Sequence, residues 1–422
     1  MIKRPKEINK IINQLSSAGY EVYCAGQCVM ASYVGREPLD WDLYTDCPQD
    51  KLKELFPEGE AIGKRTMRLD YSREVISDDI NVADYFEGVI ADIVTLQGSM
   101  EDQLKLYDLT AEAIAEHPQK TPVDPYGGRE DIKAMLLKPT PAAEGIYRKN
   151  PARMLKAIRY VSLYGFDLHK SLADIIGKNA GLLKDADKED VLFEYMQIIG
   201  GKNTGKALKM IADLGLLAGI VGEKAMAAAG KRSANELEIL LNNIDKTKQI
   251  PLRRMALVAM CFGKSYNDVI RYLPYDEEDL ELLIDADRYT QDLHFAGNDV
   301  MIKQYIYKHG WDKYKFYDKL SKAQVIVFDY NDSKIEGREY ILKMILTEKQ
   351  PIFEEDLAID VNDIMEAGIT DDPERAAYLL SLLPAAVHQK PSKNKRKELL
   401  SLAKQYNKSK LKASLRGVSW LR

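Results

Sequence analysis

The chain has 422 residues and a mass of 47.8 kDa, which is too long for one compact core and predicts several domains. Hydrophobic residues make up 45% and charged residues 30% of it, a balance that excludes disordered and collagen-like proteins. Four cysteines without paired CxxC spacing and five scattered histidines argue against a disulfide scaffold, a zinc site and histidine-based hydrolysis. No apolar run reaches the roughly 18–20 residues of a membrane span, and the N-terminus lacks the apolar core of a signal peptide. We therefore expect a cytoplasmic protein with no membrane partner.

Secondary-structure signals divide the chain into a mixed N-terminal part and a helical remainder. In the first ~140 residues, apolar spacing and glycine turns predict helices and strands: a helix that ends before Gly19, strands at 21–24, 40–44 and 88–94, and helices at 28–33 and 51–56. Strand signals all but disappear after the turn at 124–128, and helical periodicity marks 151–164, 191–199, 205–217, 252–262, 279–293, 300–307 and 313–328. We expect an α+β fold, with a small α/β head containing a mixed sheet, followed by an all-α neck, body and tail.

The most informative acidic residues lie in the predicted strands. Asp40 and Asp42 should project from one face of a strand, roughly 6–7 Å apart, a separation that suits two carboxylates on one divalent ion. Asp92 lies in an apolar strand, where a lone buried charge would be costly, and it would join them if the two strands were neighbours. On its own such a pair is more often a solvated surface feature. Here the glycine turn at Gly26 opens a short helix one strand earlier, which favours a phosphate ligand.

Several spaced motifs then occur in the order found in one enzyme family. Residues 25–31 and 35–42, the DPYGG turn at 124–128, the helix at 150–160 and the pattern at 356–368 resemble those of the tRNA nucleotidyltransferase/poly(A) polymerase family, class II, in particular bacterial CCA-adding enzymes. The resemblance runs from about residue 5 to residue 405 and implies a nucleotidyltransferase-type head. It also implies template-independent addition of CCA, or of A alone, to the 3′ end of tRNA from CTP and ATP.

The resemblance assigns roles to individual residues. Asp40 and Asp42 would hold Mg²⁺ and, with Asp92, form the catalytic set. The implied nucleotide-binding residues are Gly26, Gln27, Asn150, Arg153, Lys156 and Arg159. The implied domains are a catalytic head (1–138), a nucleotide-selecting neck (139–204), a body (205–290) and an RNA-binding tail (291–422). A basic stripe such as Arg153, Lys156 and Arg159 is otherwise most often a solvated helix face.

The chain departs from the family pattern at positions that bind the nucleotide. Met30 replaces an arginine, Leu106 and Tyr107 stand where two arginines are expected, and Asn150 stands in place of the base-reading aspartate. Each lost arginine–phosphate contact would cost about 1.5–3 kcal/mol. An amide both donates and accepts hydrogen bonds, whereas a carboxylate only accepts. We therefore expect weaker base discrimination if Asn150 occupies the reading position.

The charge is unevenly distributed along the chain. The net charge is −5, yet residues 390–422 contain eleven Lys and Arg and one acidic residue, Glu398. A basic segment on an acidic body is suited to holding a polyanion, although the charge alone favours a solvated, partly frayed tail. The predicted RNA-binding residues are Lys393, Lys395, Arg396 and Lys397.

Three hypotheses remain open from the sequence. The first is a Mg²⁺-dependent CCA-adding nucleotidyltransferase, and the second is a family member with altered nucleotide or acceptor choice, such as A-only addition. The third is a catalytically weak homologue that binds RNA or nucleotide. The acids at 40, 42 and 92 favour the first two, whereas the substitutions at 30, 106, 107 and 150 favour the last two. The oligomeric state stays open.

Overall fold

A computed structural model describes residues 2–38, 40–75, 85–329 and 334–408. The chain separates into two compact units, Met1–Leu280 and Glu281–Arg422. The finer division into head, neck, body and tail stays a prediction.

The elements follow one another along the chain with short connections. The strands are β1 (Val22–Ala25), β2 (Asp40–Thr45), β3 (Glu60–Ala61), β4 (Thr66–Asp70), β5 (Arg73–Val75), β6 (Tyr85–Glu87), β7 (Ile90–Thr95), β8 (Ala115–Glu116), β9 (Leu136–Leu137) and β10 (Asp167–Leu168). The helices up to the boundary between the units are α1 (Lys6–Ser17), α2 (Gln27–Tyr33), α3 (Gln49–Leu55), α4 (Met100–Leu104), α5 (Gly128–Lys133), α6 (Ala143–Lys149), α7 (Arg153–Tyr164), α8 (Lys170–Asn179), α9 (Lys188–Ile199), α10 (Thr204–Asp213), α11 (Ala218–Val221), α12 (Glu223–Ala228), α13 (Lys231–Asn243), α14 (Pro251–Met260), α15 (Tyr266–Ile270) and α16 (Glu277–Leu283). The later helices are α17 (Ala286–Phe295), α18 (Asp299–Phe328), α19 (Lys334–Thr347), α20 (Val361–Glu366), α21 (Pro373–Ser381), α22 (Pro384–Gln389) and α23 (Arg396–Lys408).

A mixed sheet forms the centre of the N-terminal part. Its six strands in the described residues have the order β3-β4-β7-β2-β1-β8. Strands β2 and β7 run parallel, whereas the other neighbouring pairs are antiparallel. The remaining strands form two small pairs, β5 with β6 and β9 with β10. The fold class expected from the sequence is confirmed.

The central strands bury one face and expose polar groups on the other. Side chains alternate between the faces of a strand, and the buried positions are apolar: Trp41 and Leu43 on β2, Met67 and Leu69 on β4, and Ala91 and Ile93 on β7. Burial of each large apolar side chain contributes about 1.5–3 kcal/mol, which fixes the register, because a slip by one residue would expose the whole set. The opposite face therefore carries the residues between them.

The helical remainder agrees with the sequence except at one break. Strand structure beyond residue 128 is limited to the two-residue strands β9 and β10 in the described residues. The expectation of one helix over 279–293 is wrong, because Asp285 adopts a left-handed conformation with φ of 56° between α16 and α17. Gly310, with φ of 79°, interrupts α18, which matches the predicted division between 300–307 and 313–328.

The C-terminal helices have a core of their own. Ile359 and Ile364 pack with Leu379, Leu383 and Leu399. Helix α23 contributes Leu399 to this core. No helix in the described part of the chain combines the length and apolarity that crossing a bilayer requires.

Candidate active site

Three aspartates lie on the polar face of the central sheet, and we call them the acid row. Asp42 on β2 is in direct register with Asp92 on β7, and neighbouring strands lie about 4.8 Å apart. Asp40 is two residues from Asp42 and lies on the same face. From the sequence we expected Asp92 to lie beside Asp40 and Asp42 only if the two strands were neighbours. In the sheet, β2 and β7 are neighbours, so Asp92 lies beside them.

The acid row carries uncompensated negative charge. Burial, followed by repulsion from Asp92, Glu112 and Asp40, raises the pKa of Asp42 to about 7. Burial and the charge of Asp92 also raise the pKa of Asp40. Burial is the larger cause of both raised pKa values, and the neighbouring carboxylates add repulsion to it. A divalent cation would relieve that repulsion, so this face is suited to bind one.

An arginine binds the third member of the acid row. Arg68 on β4 is in register with Asp92, and its Nε and Nη2 each donate to one carboxylate oxygen at 2.8 Å. This bidentate geometry is the strongest form of an arginine–carboxylate pair, and it raises the pKa of Arg68. Asp42, Asp92 and Arg68 therefore form one line across three strands, in which only Asp92 has a cationic partner in the described residues.

A glycine permits close packing beside the acid row. Gly26, between β1 and α2, has φ of 80°, a conformation that L side chains rarely adopt. A Cβ atom there would lie 3.0 Å from the hydroxyl of Tyr107 and 3.3 Å from Oδ2 of Asp42. The Tyr107 hydroxyl also shares a hydrogen bond with that of Tyr44 at 3.0 Å. Tyr107, where the family pattern has an arginine, thus presents a neutral hydroxyl next to Gly26.

The cations of α7 are mostly neutralised inside the protein. Lys156 is buried and its Nζ bonds the carboxylates of Asp108, at 2.6 Å, and of Glu112. Although burial alone would lower the pKa of Lys156, its two acidic partners raise it. Nε of Arg159 donates to Glu194 at 2.7 Å. Neither side chain lies on a solvated helix face, which was the alternative interpretation of this stripe.

A smaller network connects α7 with α2. Oε1 of Gln27 accepts hydrogen bonds from Nη1 of Arg159 at 3.3 Å and from the Tyr160 hydroxyl at 3.4 Å. The Tyr160 hydroxyl also donates to Glu112. Gln27, predicted to bind nucleotide, is thus held one residue after Gly26 by the helix that carries the predicted base-reading residues.

Arg153 and Asn150 are the more accessible of the predicted nucleotide-binding residues. Arg153 lies 3.6 Å from Asp108 and keeps 44% of its side chain exposed. Nδ2 of Asn150 has a long 3.5 Å contact with Asp190. Both side chains can therefore reorient toward a ligand, whereas Lys156 and Arg159 cannot without breaking buried ion pairs. The assignment of all six residues to a nucleotide site stays a prediction.

The acidic partners of the α7 cations could not be identified from the sequence. Glu112 and Glu194 bind Lys156 and Arg159, yet neither stood in a motif that suggested such a role. The alternation of Met67, Arg68 and Leu69 did carry a strand signal, and it could have placed Arg68 on the polar face of a strand.

A metal at the acid row would need a substrate to complete its coordination. In the described residues, no three His, Cys, Asp or Glu side chains are grouped as a ready-made metal site. Mg²⁺ prefers oxygen ligands and is commonly bound by one or two carboxylates together with substrate phosphates. Asp40 and Asp42 supply two such carboxylates with excess charge, so the residues present fit that ion.

The predicted RNA-binding residues lie at the start of α23 and just before it. Arg396 bonds Asp363 and keeps 53% of its side chain exposed. Lys395 and Lys397 are exposed and Lys393 is partly exposed. They form an accessible basic stretch on the second unit.

Comparisons with known proteins bear on this site and fold. No protein-family model matches the sequence. The chain is 32% identical to the CCA-adding enzyme of Geobacillus kaustophilus (strain HTA426), over 50% of this chain and 54% of that protein. It is 28% identical to the CC-adding tRNA nucleotidyltransferase of Halalkalibacterium halodurans, over 50% and 53%. The match thus spans about half the length of these relatives.

Solved structures extend the similarity in fold. The crystal structure of the Bacillus stearothermophilus CCA-adding enzyme in complex with CTP superposes with a TM-score of 0.73 at 22% identity, over 96% of this chain and 98% of that one. The Thermotoga maritima CCA-adding enzyme complexed with tRNA gives a TM-score of 0.61 at 15% identity, over 96% of each chain. These comparisons confirm the resemblance to the tRNA nucleotidyltransferase family, with sequence similarity over about half of the chain and a shared fold over nearly all of it.

Proposed function

We propose that the protein is a template-independent RNA nucleotidyltransferase that adds C and A nucleotides to the 3′ end of tRNA from CTP and ATP. The observation that carries this proposal is the acid row, in which Asp42 lies beside Gly26 and Asp40 lies on the same face of β2, with the pKa of both carboxyls raised by burial and by neighbouring acids. The relatives named above support the choice of tRNA as the acceptor. Because tRNA is matured and used in the cytoplasm, we propose that compartment.

The acid row would position the reacting groups. Asp40 and Asp42 would hold Mg²⁺, which when bound neutralises the triphosphate and favours departure of pyrophosphate. The oxygen of the RNA 3′-hydroxyl forms a bond to the α-phosphorus while the bond between that phosphorus and the pyrophosphate oxygen breaks. Phosphoryl-transfer enzymes achieve most of their acceleration through such positioning and electrostatics. The missing side chain at Gly26 lets the Tyr107 hydroxyl and Asp42 approach the backbone there.

The start of α7 and the residue Asn150, which follows α6, would select the incoming nucleotide. Arg153 and Asn150, the accessible members of the predicted set, would contact the edge of the base. Lys156 would hold the helix to the segment that contains Asp108 and Glu112, and Arg159 would hold it to Glu194 on α9. In this proposal Lys156 and Arg159 do not contact the nucleotide but keep Arg153 and Asn150 in position.

A transfer assay tests the function directly. The purified chain would be incubated with tRNA transcripts lacking one, two or three 3′-terminal nucleotides and with each labelled NTP in turn. We expect incorporation of C and A, and a loss of at least about 10³-fold when Asp40 and Asp42 are both changed to Ala. The matched control is Asp50→Asn, at an exposed position in the first turn of α3. Activity that survives the double change would remove the acid row from the mechanism.

A second candidate is a relative with altered nucleotide choice. The observation that favours it is the absence of charge at three positions where the family pattern has arginines: Met30 is buried, Leu106 is exposed and Tyr107 presents a hydroxyl. The same assay separates the candidates, because A-only or C-only incorporation would select this one. Binding of RNA without incorporation of any nucleotide would instead indicate a catalytically weak homologue.

The basic stretch at Lys393–Lys397 would bind the RNA through phosphate contacts. Each lost contact lowers the salt dependence of binding by a predictable amount. Changing Lys393, Lys395 and Lys397 to Ala, with Arg396 retained because it bonds Asp363, should therefore flatten the plot of log affinity against log salt. An unchanged slope would mean that this stretch is merely solvated.

A further inference from the structure

A separate cavity lies at the end of α2 that is farther from the acid row. Its volume is about 340 Å³ and its walls come from α2 and the residues after it, from α5 and from the end of α7. The side chains that matter for its chemistry are Tyr33, Arg36, Arg129, Lys133 and Tyr164. None of them was singled out as a site residue from the sequence, and the proposed transfer reaction does not use them.

The cavity has more positive charge than its own acids neutralise. The Nε atom of Arg129 is buried without a hydrogen-bond partner, and the described residues offer its guanidinium no ion pair. Arg36 is exposed and likewise has no ion pair within the described parts of the chain. Lys133 is paired with Glu130 at 2.6 Å, on the exposed side of α5. A buried donor without a partner is costly, and two unpaired guanidinium groups at one cavity indicate an anionic ligand.

The same cavity offers aromatic surfaces. The guanidinium of Arg129 lies over the ring of Tyr33, 5.7 Å from its centroid. The Tyr33 hydroxyl bonds Glu116, which fixes that ring in place. Tyr164 forms the opposite part of the lining and packs its ring against Tyr160 at 5.8 Å between centroids. Nucleic-acid bases stack on tyrosine rings and arginine planes, so a base accompanied by a phosphate suits these walls.

The cavity is connected to the acid row through α2. Tyr33 ends that helix and Gln27 begins it, so the two lie about 9 Å apart at 1.5 Å per residue. The ring of Tyr164 packs on that of Tyr160, whose hydroxyl donates to Gln27 at 3.4 Å, and Gln27 follows Gly26 beside Asp42. The cavity therefore lies one short helix away from the acid row.

We propose that this cavity binds one nucleotide of the acceptor RNA strand, with its base against Tyr33 and Tyr164 and its phosphate on Arg36 and Arg129. The inference rests on the proposed function for the identity of the strand. The chemistry it needs, a base joined to a phosphate, is shared with a free nucleotide. The strand is favoured because the cavity lies one short helix away from the acids that would receive the 3′ end.

Binding measurements on the full chain test this proposal without requiring catalysis. Fluorescence anisotropy would measure the affinity for a tRNA transcript lacking its terminal A, and calorimetry would measure the affinity for CTP and for AMP. The test variant is Arg36→Ala with Arg129→Ala. The charge-matched control is Lys224→Ala with Arg232→Ala, which removes two highly exposed cations of the same unit. Thermal unfolding of both variants would verify that they are folded.

We expect the test variant to bind the transcript at least tenfold more weakly than the control. The slope of log affinity against log salt should fall by about 0.7, because the contact with one phosphate of a single strand is lost. The affinity for CTP should not change. Weaker binding of CTP and AMP with unchanged RNA binding would assign the cavity to a free nucleotide and overturn the strand proposal. Equal affinities of test and control variants for every ligand would overturn it altogether.

Crosslinking provides a second readout that does not depend on substitution. Transcripts with 4-thiouridine at each of the last nucleotides would be irradiated with the unmodified protein, and the crosslinked peptides identified by mass spectrometry. Crosslinks to the peptides around Tyr33 or Tyr164 would support the proposal, whereas their absence at every labelled position would contradict it. If the chain binds the transcript through this cavity yet transfers no nucleotide, the proposed function fails and the inferred site stands.

Discussion

The acid row of the sheet and the basic stripe of α7 differ in how their charges are neutralised. In the acid row, Asp40 and Asp42 crowd against further carboxylates, and their pKa values rise. On α7, Lys156 and Arg159 are buried against acids that neutralise them. Both regions belong to the first compact unit, and both are made of residues that the family pattern assigns to the active site.

The contrast separates residues that perform chemistry from residues that hold the structure. Like charges brought together cost stability, and proteins commonly accept that cost where a ligand will supply the opposite charge. Ion pairs that are complete before a ligand arrives have no charge left to offer it. We therefore expect substitutions in the two regions to change stability in opposite directions.

The largest expected effect is the loss of stability when Lys156 is changed to Met. The substitution keeps the apolar stem but removes the Lys156 cation from the buried carboxylates of Asp108 and Glu112 and leaves Asp108 only the more distant Arg153, so the free energy of unfolding should fall by about 3–5 kcal/mol. Chemical denaturation at pH 7.5 would measure it. The matched control, Lys178→Met, removes an exposed partner of Glu144 and should cost less than about 1 kcal/mol.

The Lys156 substitution should also depend on pH. Protonation of the stranded carboxylates removes the unpaired charge, so the difference from the natural chain should shrink as the pH falls from 7.5 to 5. A loss no larger than that of the control, or one that does not change with pH, would mean that the ion pairs of α7 do not hold the helix.

The opposite effect is expected for Asp42→Asn. Because the pKa of Asp42 is raised to about 7 in the folded protein, the folded chain keeps a proton that the unfolded chain loses near pH 4. This contribution to stability is present below pH 4 and is lost as the pH rises to about 7. At pH 8 the free energy of unfolding of the variant should therefore exceed that of the natural chain by on the order of 2 kcal/mol. It should also depend less on pH. Identical profiles in denaturation experiments between pH 4 and pH 8 would contradict this account.

A smaller effect is expected for base selection at Asn150. The amide accepts and donates hydrogen bonds, so it tolerates the carbonyl groups of uracil and guanine as well as the amino groups of cytosine and adenine. Asn150→Asp should sharpen the preference for CTP and ATP over UTP and GTP by about tenfold, or about 1.4 kcal/mol. Ratios of kcat/KM for the four nucleotides would show it. The control is Lys149→Ala, at an exposed neighbouring position. Unchanged ratios for Asn150→Asp would mean that Asn150 does not contact the base.

Local patterns were sufficient to predict the centre of the site. Alternation around Trp41 and Leu43 placed Asp40 and Asp42 on one face of a strand, and the glycine turn placed the start of α2. These features depend on neighbours in sequence, which is why a single chain reveals them. The register between β2 and β7 brings Asp92 beside Asp42. It depends on residues fifty positions apart, so the sequence alone could not predict it.

Burial of the basic stripe could not be predicted in the same way. Lysine and arginine at helical spacing are exposed in most proteins, and nothing beside Lys156 or Arg159 in the sequence indicates an acidic partner. Those partners come from Asp108, Glu112 and Glu194, which the tertiary fold brings together. The cavity at Arg129 was missed for the same reason, since its walls come from three separate helices.

The central claim is that Asp40 and Asp42 bind a divalent cation together with a nucleotide triphosphate. Calorimetric titration of Mg²⁺ into the protein with a non-hydrolysable CTP analogue, at pH 6 and at pH 8, tests it most directly. We expect binding at pH 8 in the natural chain and in Asp50→Asn, about tenfold weaker binding at pH 6 because Asp42 is then protonated, and no measurable binding in Asp42→Asn. The same Mg²⁺ affinity in all three proteins would contradict the account.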